Sequence, residues 1–224
     1  NVDERVGVIA SLPTAGESAS PTVAKNAHAR ITQLCGLAEK GKIAPLIMVD
    51  NEKIKKLYPK LTVKKFWTTI NNTVAGLFHV FNVLANQDSE YTTFDATDYD
   101  SIMKQPGCMI MGVTSVKNLE SETAVSSALK KNLEKTLLAE GFDLTTATGA
   151  ACIVVGSEEI FEETVGLMDN IEFGFDTLAA LTGGAMVHRG IYEDNKKDKL
   201  VTYTLVSGLK RPSKRIEGLK KFLK

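Results

Sequence analysis

Short apolar runs alternate with amphipathic stretches in the first 62 residues. The run 6-VGVIASLP-13 ends at a proline and predicts a buried strand that leads into a loop. Apolar residues then recur at helical spacing from Thr22 to about Ala38, and 45-PLIMVDN-51 predicts a second strand. A strand, a helix and a strand in this order predict a βαβ unit and a parallel sheet.

The longest helical pattern follows at 63-VKKFWTTINNTVAGLFHVFNVLANQ-87. Its apolar residues nearly surround the helix axis, and a helix that is apolar all round is buried. We therefore expect this helix to run through the middle of the structure. Asn71 and Asn72 interrupt it and need partners there, because an unsatisfied buried polar group costs about 1–3 kcal/mol.

Strand-like and helix-like patterns continue to alternate after a polar stretch, 91-YTTFDATDYD-100. They predict strands at 108–116 and 150–156, and helices at 120–140 and about 160–173. Two β-rich segments, 184–192 and 199–209, close the pattern. The linker between them is short, so we expect them to pair as an antiparallel hairpin.

Composition is that of an ordinary soluble globular protein. The 27 basic residues balance the 27 acidic ones, which gives no electrostatic reason to expect direct contact with nucleic acid or a membrane surface. The basic segment 210-KRPSKRIEGLKKFLK-224 is interpreted as a solvated helical tail. No apolar run approaches the length of a membrane span and no signal peptide leads the chain, so a cytoplasmic location is expected.

The cysteines and histidines show no metal-ligand spacing. Cys35, Cys108 and Cys152 lie far apart, and the last two fall inside apolar runs, so we expect buried free thiols in a reducing compartment. The three histidines are also scattered, and no zinc site is predicted.

The order of the elements and several local motifs resemble the tubulin/FtsZ superfamily of polymerising GTPases, closest to FtsZ. The resemblance covers nearly the whole chain and matches the second half of the family pattern, and a chain that begins at Asn1 fits a C-terminal portion of a longer protein. It implies an α/β fold in three parts. Residues 1–62 would be the end of a parallel-sheet GTP-binding domain and 63–88 a long central core helix. Residues 89–224 would be a C-terminal, GTPase-activating α+β domain with a mixed four-stranded sheet.

The acidic stretch after the long helix carries the most specific match. The family has Asn-x-Asp-x-x-Asp there, and this chain has Thr93, Asp95 and Asp98, so both acids match and the asparagine does not. The resemblance implies that Asp95 and Asp98 act on a nucleotide held by the next subunit of a filament, where carboxylates orient and polarise the attacking water. The alternative for this stretch is helix capping, since Thr97 and Asp100 have the spacing of a capping box. Asp100 is expected to be structural.

The resemblance also implies contacts with guanine. They fall on Asn51, on Asn72 and on Trp67, with Glu17 as the ribose contact. Amides can bond to the edge of a base and an indole ring can stack on its face. At Asn72 an amide replaces the usual acid and loses the charge-assisted contribution. The alternatives are a strand-end turn residue for Asn51 and a core residue for Trp67.

The glycine-rich phosphate loop of the family has no counterpart in this sequence. Backbone N–H groups of such a loop hold the phosphates, so this chain alone should neither bind GTP tightly nor hydrolyse it. GTP or GDP and Mg²⁺ are expected in the complete protein, which would self-associate head to tail into filaments. If the other half is missing, apolar surface of the first strand and the long helix should be exposed or covered by another chain.

Two other functions remain open at this point. One is a non-enzymatic, FtsZ-like module that caps or modulates filaments of a partner. The other is a small-molecule-binding α/β domain unrelated to nucleotides.

Overall fold

A six-stranded mixed sheet forms the centre of the chain in the computed structural model, which describes residues 5–223. The strands are β1 (Val8–Leu12), β2 (Leu46–Asp50), β3 (Cys108–Ser115), β4 (Gly149–Gly156), β5 (Met186–Glu193) and β6 (Val201–Leu209). Their order across the sheet is β1-β2-β3-β6-β4-β5. Strand β6 runs antiparallel to both of its neighbours, and the other neighbouring pairs are parallel.

Helices cover both faces of this sheet. They are α1 (Ala15–Ser18), α2 (Pro21–Glu39), α3 (Asn51–Leu57), α4 (Val63–Leu84), α5 (Ala96–Met103), α6 (Ala124–Lys131), α7 (Glu158–Glu163), α8 (Leu167–Leu181) and α9 (Ser213–Gly218). A π-helical turn, Asn132–Thr136, extends α6, and 3₁₀ turns lie at Leu144–Thr146 and Leu219–Phe222.

The alternation of side chains along the strands divides the apolar core in two. In β2, Leu46 and Met48 pack with α2, α6, α8 and α9, whereas Ile47 and Val49 pack with α3, α4 and α5. Strands β3 and β4 divide their side chains in the same way. Strands that are covered on both faces have nearly continuous apolar sequences, which is why the pattern locates them so clearly.

The predicted βαβ unit is confirmed: β1 pairs with β2 in parallel, from Val8 opposite Leu46 to Leu12 opposite Asp50, and α2 connects them. The predicted helix at 120–140 is too long, because the chain becomes extended at Leu137 and Leu138 bonds to the backbone of Met111 and Asp50. The predicted helix at 160–173 is two helices, separated where Gly166 adopts a left-handed conformation (φ 74°).

The predicted hairpin of β5 and β6 is wrong. Strand β5 lies at the sheet edge beside β4, while β6 inserts between β3 and β4. Residues 194–200 can span about 23 Å when extended, and skipping one strand takes only about 10 Å. Burial decides the order: nearly all of β6 is buried, as suits an inner strand, whereas Met186 at the start of β5 is 70% exposed.

The expectation of an all-round buried α4 is also wrong. Only one stripe of the helix is buried, formed by Ile70, Leu77, Phe81 and Leu84. Trp67 is 46% exposed, and Asn71 and Asn72 face solvent, so neither amide needs a buried partner. The sheet covers one side of α4, and no layer of the described chain covers the other. The expectation that apolar surface on the first strand and this helix lies open is confirmed, since Ile9 of β1 is 51% exposed.

The prediction of buried free thiols is confirmed for all three cysteines, and the reducing compartment stays a prediction. The Sγ atoms of Cys35 and Cys108 lie 3.9 Å apart. Burial raises the pKa of the Cys152 thiol. Within residues 5–223, none of the helices has the length and apolar character to cross a membrane.

The C-terminal segment is not the solvated tail that its charge suggested. Ile216 and Leu219 are buried against α2, and the guanidinium of Arg215 binds the carboxylate of Asp50 through two hydrogen bonds of 2.7 and 2.9 Å. Arg215 also donates to the carbonyl oxygen of Pro13. Since Asp50 is 1% exposed and caps α3, this ion pair joins α9 to the carboxyl ends of β1 and β2.

Arg215→Met should lower the free energy of unfolding by about 3 kcal/mol, because it leaves the Asp50 carboxylate buried without its cation. The matched control is Arg211→Met, which removes the partner of Glu39 in a pair that is about one-third exposed and should cost about 0–1 kcal/mol. Urea denaturation of both variants measures the difference. Equal losses would contradict a special role for the Arg215 pair.

Candidate functional site

The two acids predicted to be catalytic form the capping box of α5. Asp95 is the N-cap: its Oδ1 accepts from the Asp98 N–H at 2.8 Å, and Asp98 Oδ2 accepts from the Asp95 N–H at 3.3 Å. The predicted box of Thr97 and Asp100 is wrong, because the helix begins at Ala96 and Thr97 already lies within its first turn. Capping and the proposed chemistry therefore fall on the same two side chains.

Asp100 instead makes ion pairs, with Arg5 at 2.6 Å and with Lys104 one turn later. Hydrogen bonds from Lys104 and Arg5 lower the pKa of its carboxyl group. These contacts agree with the structural role expected for Asp100.

The carboxylates of Asp95 and Asp98 differ in what remains available. Both oxygens of Asp98 have partners, because Oδ1 lies 2.7 Å from Nδ1 of His188 and Oδ2 takes the Asp95 N–H. Asp95 is exposed, and among the described residues its Oδ2 accepts no hydrogen bond. Asp95 thus offers one oxygen to solvent from a fixed position, whereas Asp98 is held within the chain.

The loop that carries Asp95 is fastened to β5 by a buried tyrosine. Tyr192 is 1% exposed, and its hydroxyl accepts from the Phe94 N–H at 2.8 Å. The hydroxyl oxygen also lies 3.0 Å from two carbonyl oxygens, those of Leu84 and Phe94, and its one proton can be donated to either. Burial raises the pKa of Tyr192. One hydroxyl therefore joins the end of α4, the loop and the edge strand.

One face of β5 contacts the acidic loop and the start of α5. His188, Gly190 and Tyr192 alternate along the strand and project to the same side. A Cβ at Gly190 would come within 2.9 Å of Phe94 Cβ and 2.8 Å of the Tyr192 ring, so glycine permits the close approach. The backbone joins as well, since the Ile191 N–H donates to Thr92 O at 2.8 Å.

Sequence reasoning missed these three residues, because they lie about 90 residues from the acids. The alternation within 186–193 was the available signal, since it places them on one face of a strand. It does not reveal what that face contacts.

Two of the three residues predicted to contact a base lie at a second place, a groove of about 690 Å³ between α4 and strands β1 and β2. Asn51, 7% exposed at the start of α3, and Trp67 both line it. Apolar side chains form most of the remaining wall, among them Ile9, Val49, Val74 and Phe78. Amides and an aromatic ring beside an apolar wall suit a planar heterocycle.

Asn71 lines this groove, and Asn72 does not. Residues four apart share a face of a helix, so Asn71 is on the Trp67 side, whereas Asn72 is rotated away. Glu17 is not among the groove residues; its Oε2 accepts from the Thr14 N–H at 2.7 Å and caps α1. The binding roles of Asn51, Asn72, Trp67 and Glu17 stay predictions.

Comparison with known proteins decides the family. The family model described as "Tubulin-like protein TubZ, C-terminal domain" matches residues 92–213, which is more than half of the chain. The chain belongs to the TubZ family. The predicted superfamily is confirmed, and the matching family model within it is that of TubZ. No curated protein sequence matches this one.

Solved structures show the same fold. TubZ of Bacillus thuringiensis serovar israelensis, as GDP-form protofilaments, is 17% identical with a TM-score of 0.79, and the match covers 98% of this chain and 57% of that one. CetZ2 from Haloferax volcanii, as a GTPγS-bound protofilament, is 16% identical with a TM-score of 0.76 over 99% and 62%. An empty FtsZ dimer of M. jannaschii is 20% identical with a TM-score of 0.69 over 94% and 60%. This TubZ-family chain therefore spans about three-fifths of these relatives.

The groove runs along α4 from Trp67 to Asn82, and the acidic loop follows the C-terminal end of this helix. At 1.5 Å per residue, the helix from Trp67 to Leu84 is about 26 Å long, and the loop begins directly after it. Asp95 is therefore too far from the Trp67 end of the groove to contact a ligand there within one TubZ-family chain.

Tyr192→Phe should lower the free energy of unfolding by about 1–3 kcal/mol, because it leaves the buried N–H of Phe94 without an acceptor. Tyr203→Phe is the control. It removes a hydroxyl whose hydrogen bond to Lys197 Nζ is long, at 3.5 Å, so the free energy of unfolding should change by less than about 0.5 kcal/mol. Amide hydrogen exchange should locate the loss in residues 85–95. Exchange that rises evenly over the whole chain would contradict a local role in the loop.

Proposed function

We propose that this chain is part of a GTPase that polymerises head to tail, and that it supplies an acid to the nucleotide of the next subunit. Asp95 is the residue that we assign to this role. The proposal rests on one carboxylate oxygen of Asp95 that accepts no hydrogen bond from the described residues, on an exposed loop that β5 fixes and that lies about 26 Å along α4 from Trp67.

In this proposal, Asp95 only has to orient the attacking water. Hydrolysis of a phosphoanhydride depends mostly on positioning and charge stabilisation, and a carboxylate that accepts a hydrogen bond from water orients it for in-line attack. A residue that acts on a neighbour's nucleotide makes hydrolysis conditional on assembly. Asp98, with both oxygens engaged, supports Asp95 in this scheme, and its own contact with the water stays a prediction.

The groove is the proposed place for guanine. The carboxamides of Asn51 and Asn71 would bond to the edge of the base, and the indole of Trp67 would stack on its face. Asn71 takes the part first assigned to Asn72, because it shares the helix face of Trp67. The residues that hold the phosphates would come from outside this chain.

Mg²⁺ accompanies the nucleotide in the proposed complete protein. The described residues contain no group of three or more His, Cys, Asp or Glu side chains placed to hold a metal ion, so none of them is assigned to it.

The relatives support assembly. The Bacillus thuringiensis TubZ and Haloferax volcanii CetZ2 structures are protofilaments with GDP and GTPγS, respectively. Head-to-tail stacking would bring the acidic loop of one subunit to the nucleotide of the next, which is consistent with the distance along α4 between Trp67 and the acidic loop.

Asp95→Asn should lower the rate of GTP hydrolysis at least about 100-fold in the longest natural form of the protein, while polymers still form. Asparagine caps helices as well as aspartate does, so the loop is preserved. Asp100→Asn is the matched control on the same helix and should hydrolyse GTP normally. Phosphate release and sedimentation of polymers are measured together. Wild-type turnover by assembled Asp95→Asn protein would reject the proposal.

Asn71→Ala should weaken GTP binding by about fivefold to tenfold, as expected for one lost hydrogen bond. Asn72→Ala, which changes the adjacent residue on another face, should bind as the wild type does. Calorimetric titration of GTP into the longest natural form of the protein measures the affinity of each variant. The reverse order of the two effects would restore the first assignment to Asn72.

A further inference from the structure

The ring of His188 is held between two side chains of α5. Its Nδ1 lies 2.7 Å from Asp98 Oδ1, and its Nε2 lies 2.9 Å from Ser101 Oγ. The His188 side chain is only 17% exposed. Both of its contacts run from the edge strand β5 to α5, the helix that begins with the capping box of Asp95 and Asp98. A ring that is bonded at both nitrogens cannot turn without losing one of the two bonds.

The direction of the bond to Asp98 follows from its chemistry. An ionised carboxylate only accepts hydrogen bonds, so Nδ1 must be the donor. Oδ1 of Asp98 is thereby fixed, while Oδ2 of the same group accepts the Asp95 N–H. The Asp98 N–H, in turn, is donated to Asp95 Oδ1. Rotation of the Asp98 carboxylate would therefore break the bond that holds the backbone of Asp95.

Asp98, His188 and Ser101 have the connectivity of a hydrolase triad, but Ser101 is placed differently. Its single hydroxyl proton has two acceptors within reach, Nε2 of His188 at 2.9 Å and the carbonyl oxygen of Asp98, which lies 2.8 Å away and one turn earlier in the same helix. A bond from a serine hydroxyl to a carbonyl one turn earlier is common within helices. Ser101 therefore fixes the ring and is not assigned as a nucleophile.

The pairing of β5 with β4 holds the backbone of His188 in place. All eight residues of β5 pair with β4, and Arg189, next to His188, bonds to Glu172 of α8. A positioning contact is more exact when it comes from a paired strand than from a loop. Among the acids within residues 5–223, Asp98 is the one that His188 contacts within hydrogen-bonding distance.

We infer that His188 is a positioning residue for hydrolysis: it fixes Asp98 and, through the capping box, aims the unpaired oxygen of Asp95 at the neighbouring subunit's nucleotide. This inference rests on the proposed function. His188 does not touch the nucleotide or the water. It sets the direction of the group that does, and a displacement of about 1 Å at such a group can cost about 100-fold in rate.

Two substitutions of His188 separate its two contacts. His188→Asn places an amide nitrogen near the position of Nδ1 and keeps a donor for Asp98. His188→Gln places one near the position of Nε2 and keeps a partner for Ser101 but not for Asp98. The two variants lose the imidazole alike, so a role in packing alone would affect both.

The first measurement is GTP turnover by polymers of the longest natural form. His188→Asn should stay within about threefold of the wild type, while His188→Gln should lose about 10-fold to 100-fold in kcat with an unchanged GTP affinity and an unchanged critical concentration for assembly. Equal turnover by the two variants, or a loss confined to His188→Asn, would overturn the inference.

The second measurement needs no activity and uses the 224-residue chain. Amide exchange at Asp95 should rise about 10-fold or more in His188→Gln and stay at the wild-type rate in His188→Asn, because only the first frees the carboxylate that accepts this N–H. An unchanged exchange rate at Asp95 in His188→Gln would refute the claim that His188 fixes the Asp98 carboxylate.

The two measurements also keep the hypotheses apart. If Asp95→Asn retains full turnover, the proposed function fails, and the exchange data still test the contact of His188. If Asp95→Asn abolishes turnover and His188→Gln has no effect, the positioning inference alone fails.

Discussion

The hydroxyl of Tyr192 is the contact on which the candidate site depends. It is buried, and it receives the Phe94 N–H while its own proton faces the carbonyl oxygens of Leu84 and Phe94. The Phe94 N–H and the two carbonyl oxygens all meet at this one hydroxyl, so the end of α4 cannot leave β5 without losing several bonds at once. The capping box of α5, formed by Asp95 and Asp98, begins directly after Phe94, so this contact also fixes its position.

A second constraint is the unequal covering of the sheet. The face that packs against α2, α6, α8 and α9 is filled by apolar side chains. The other face has α4 and α5 over β3, β4 and β6, but α4 presents Trp67 and its neighbours to an open groove beside β1. The same helix thus joins a well-packed region, where the acids are held, to an open one, where the candidate base contacts lie.

Local periodicity predicted most strands and helices of this chain, because strands such as β3 and β4 are buried on both faces and have continuous apolar sequences. Pairing was harder. The short connection between β5 and β6 suggested a hairpin, yet burial of β6 on both faces places it in the interior of the sheet. The burial of α4 was misjudged because a sequence shows which side chains are apolar but not whether another layer is present to cover them.

The candidate site was predictable in part for the same reasons. The acids and their spacing were visible in the sequence, and so were Asn51 and Trp67. The choice of Asn71 over Asn72 required the helix face to be known. His188 and Tyr192 could not be linked to the acids, since only the fold brings residues 90 positions apart into contact.

The capping box of α5 narrows the substitutions that position 95 can accept. The start of the helix accepts any of several short polar residues, among them Ser, Thr, Asn and Asp. An exposed carboxylate, by contrast, demands Asp or Glu, and Glu is a poor N-cap. Aspartate alone meets both requirements. A substitution by Ser, Thr or Asn keeps the helix cap but removes the negative charge, and a substitution by Glu keeps the charge but weakens the start of the helix.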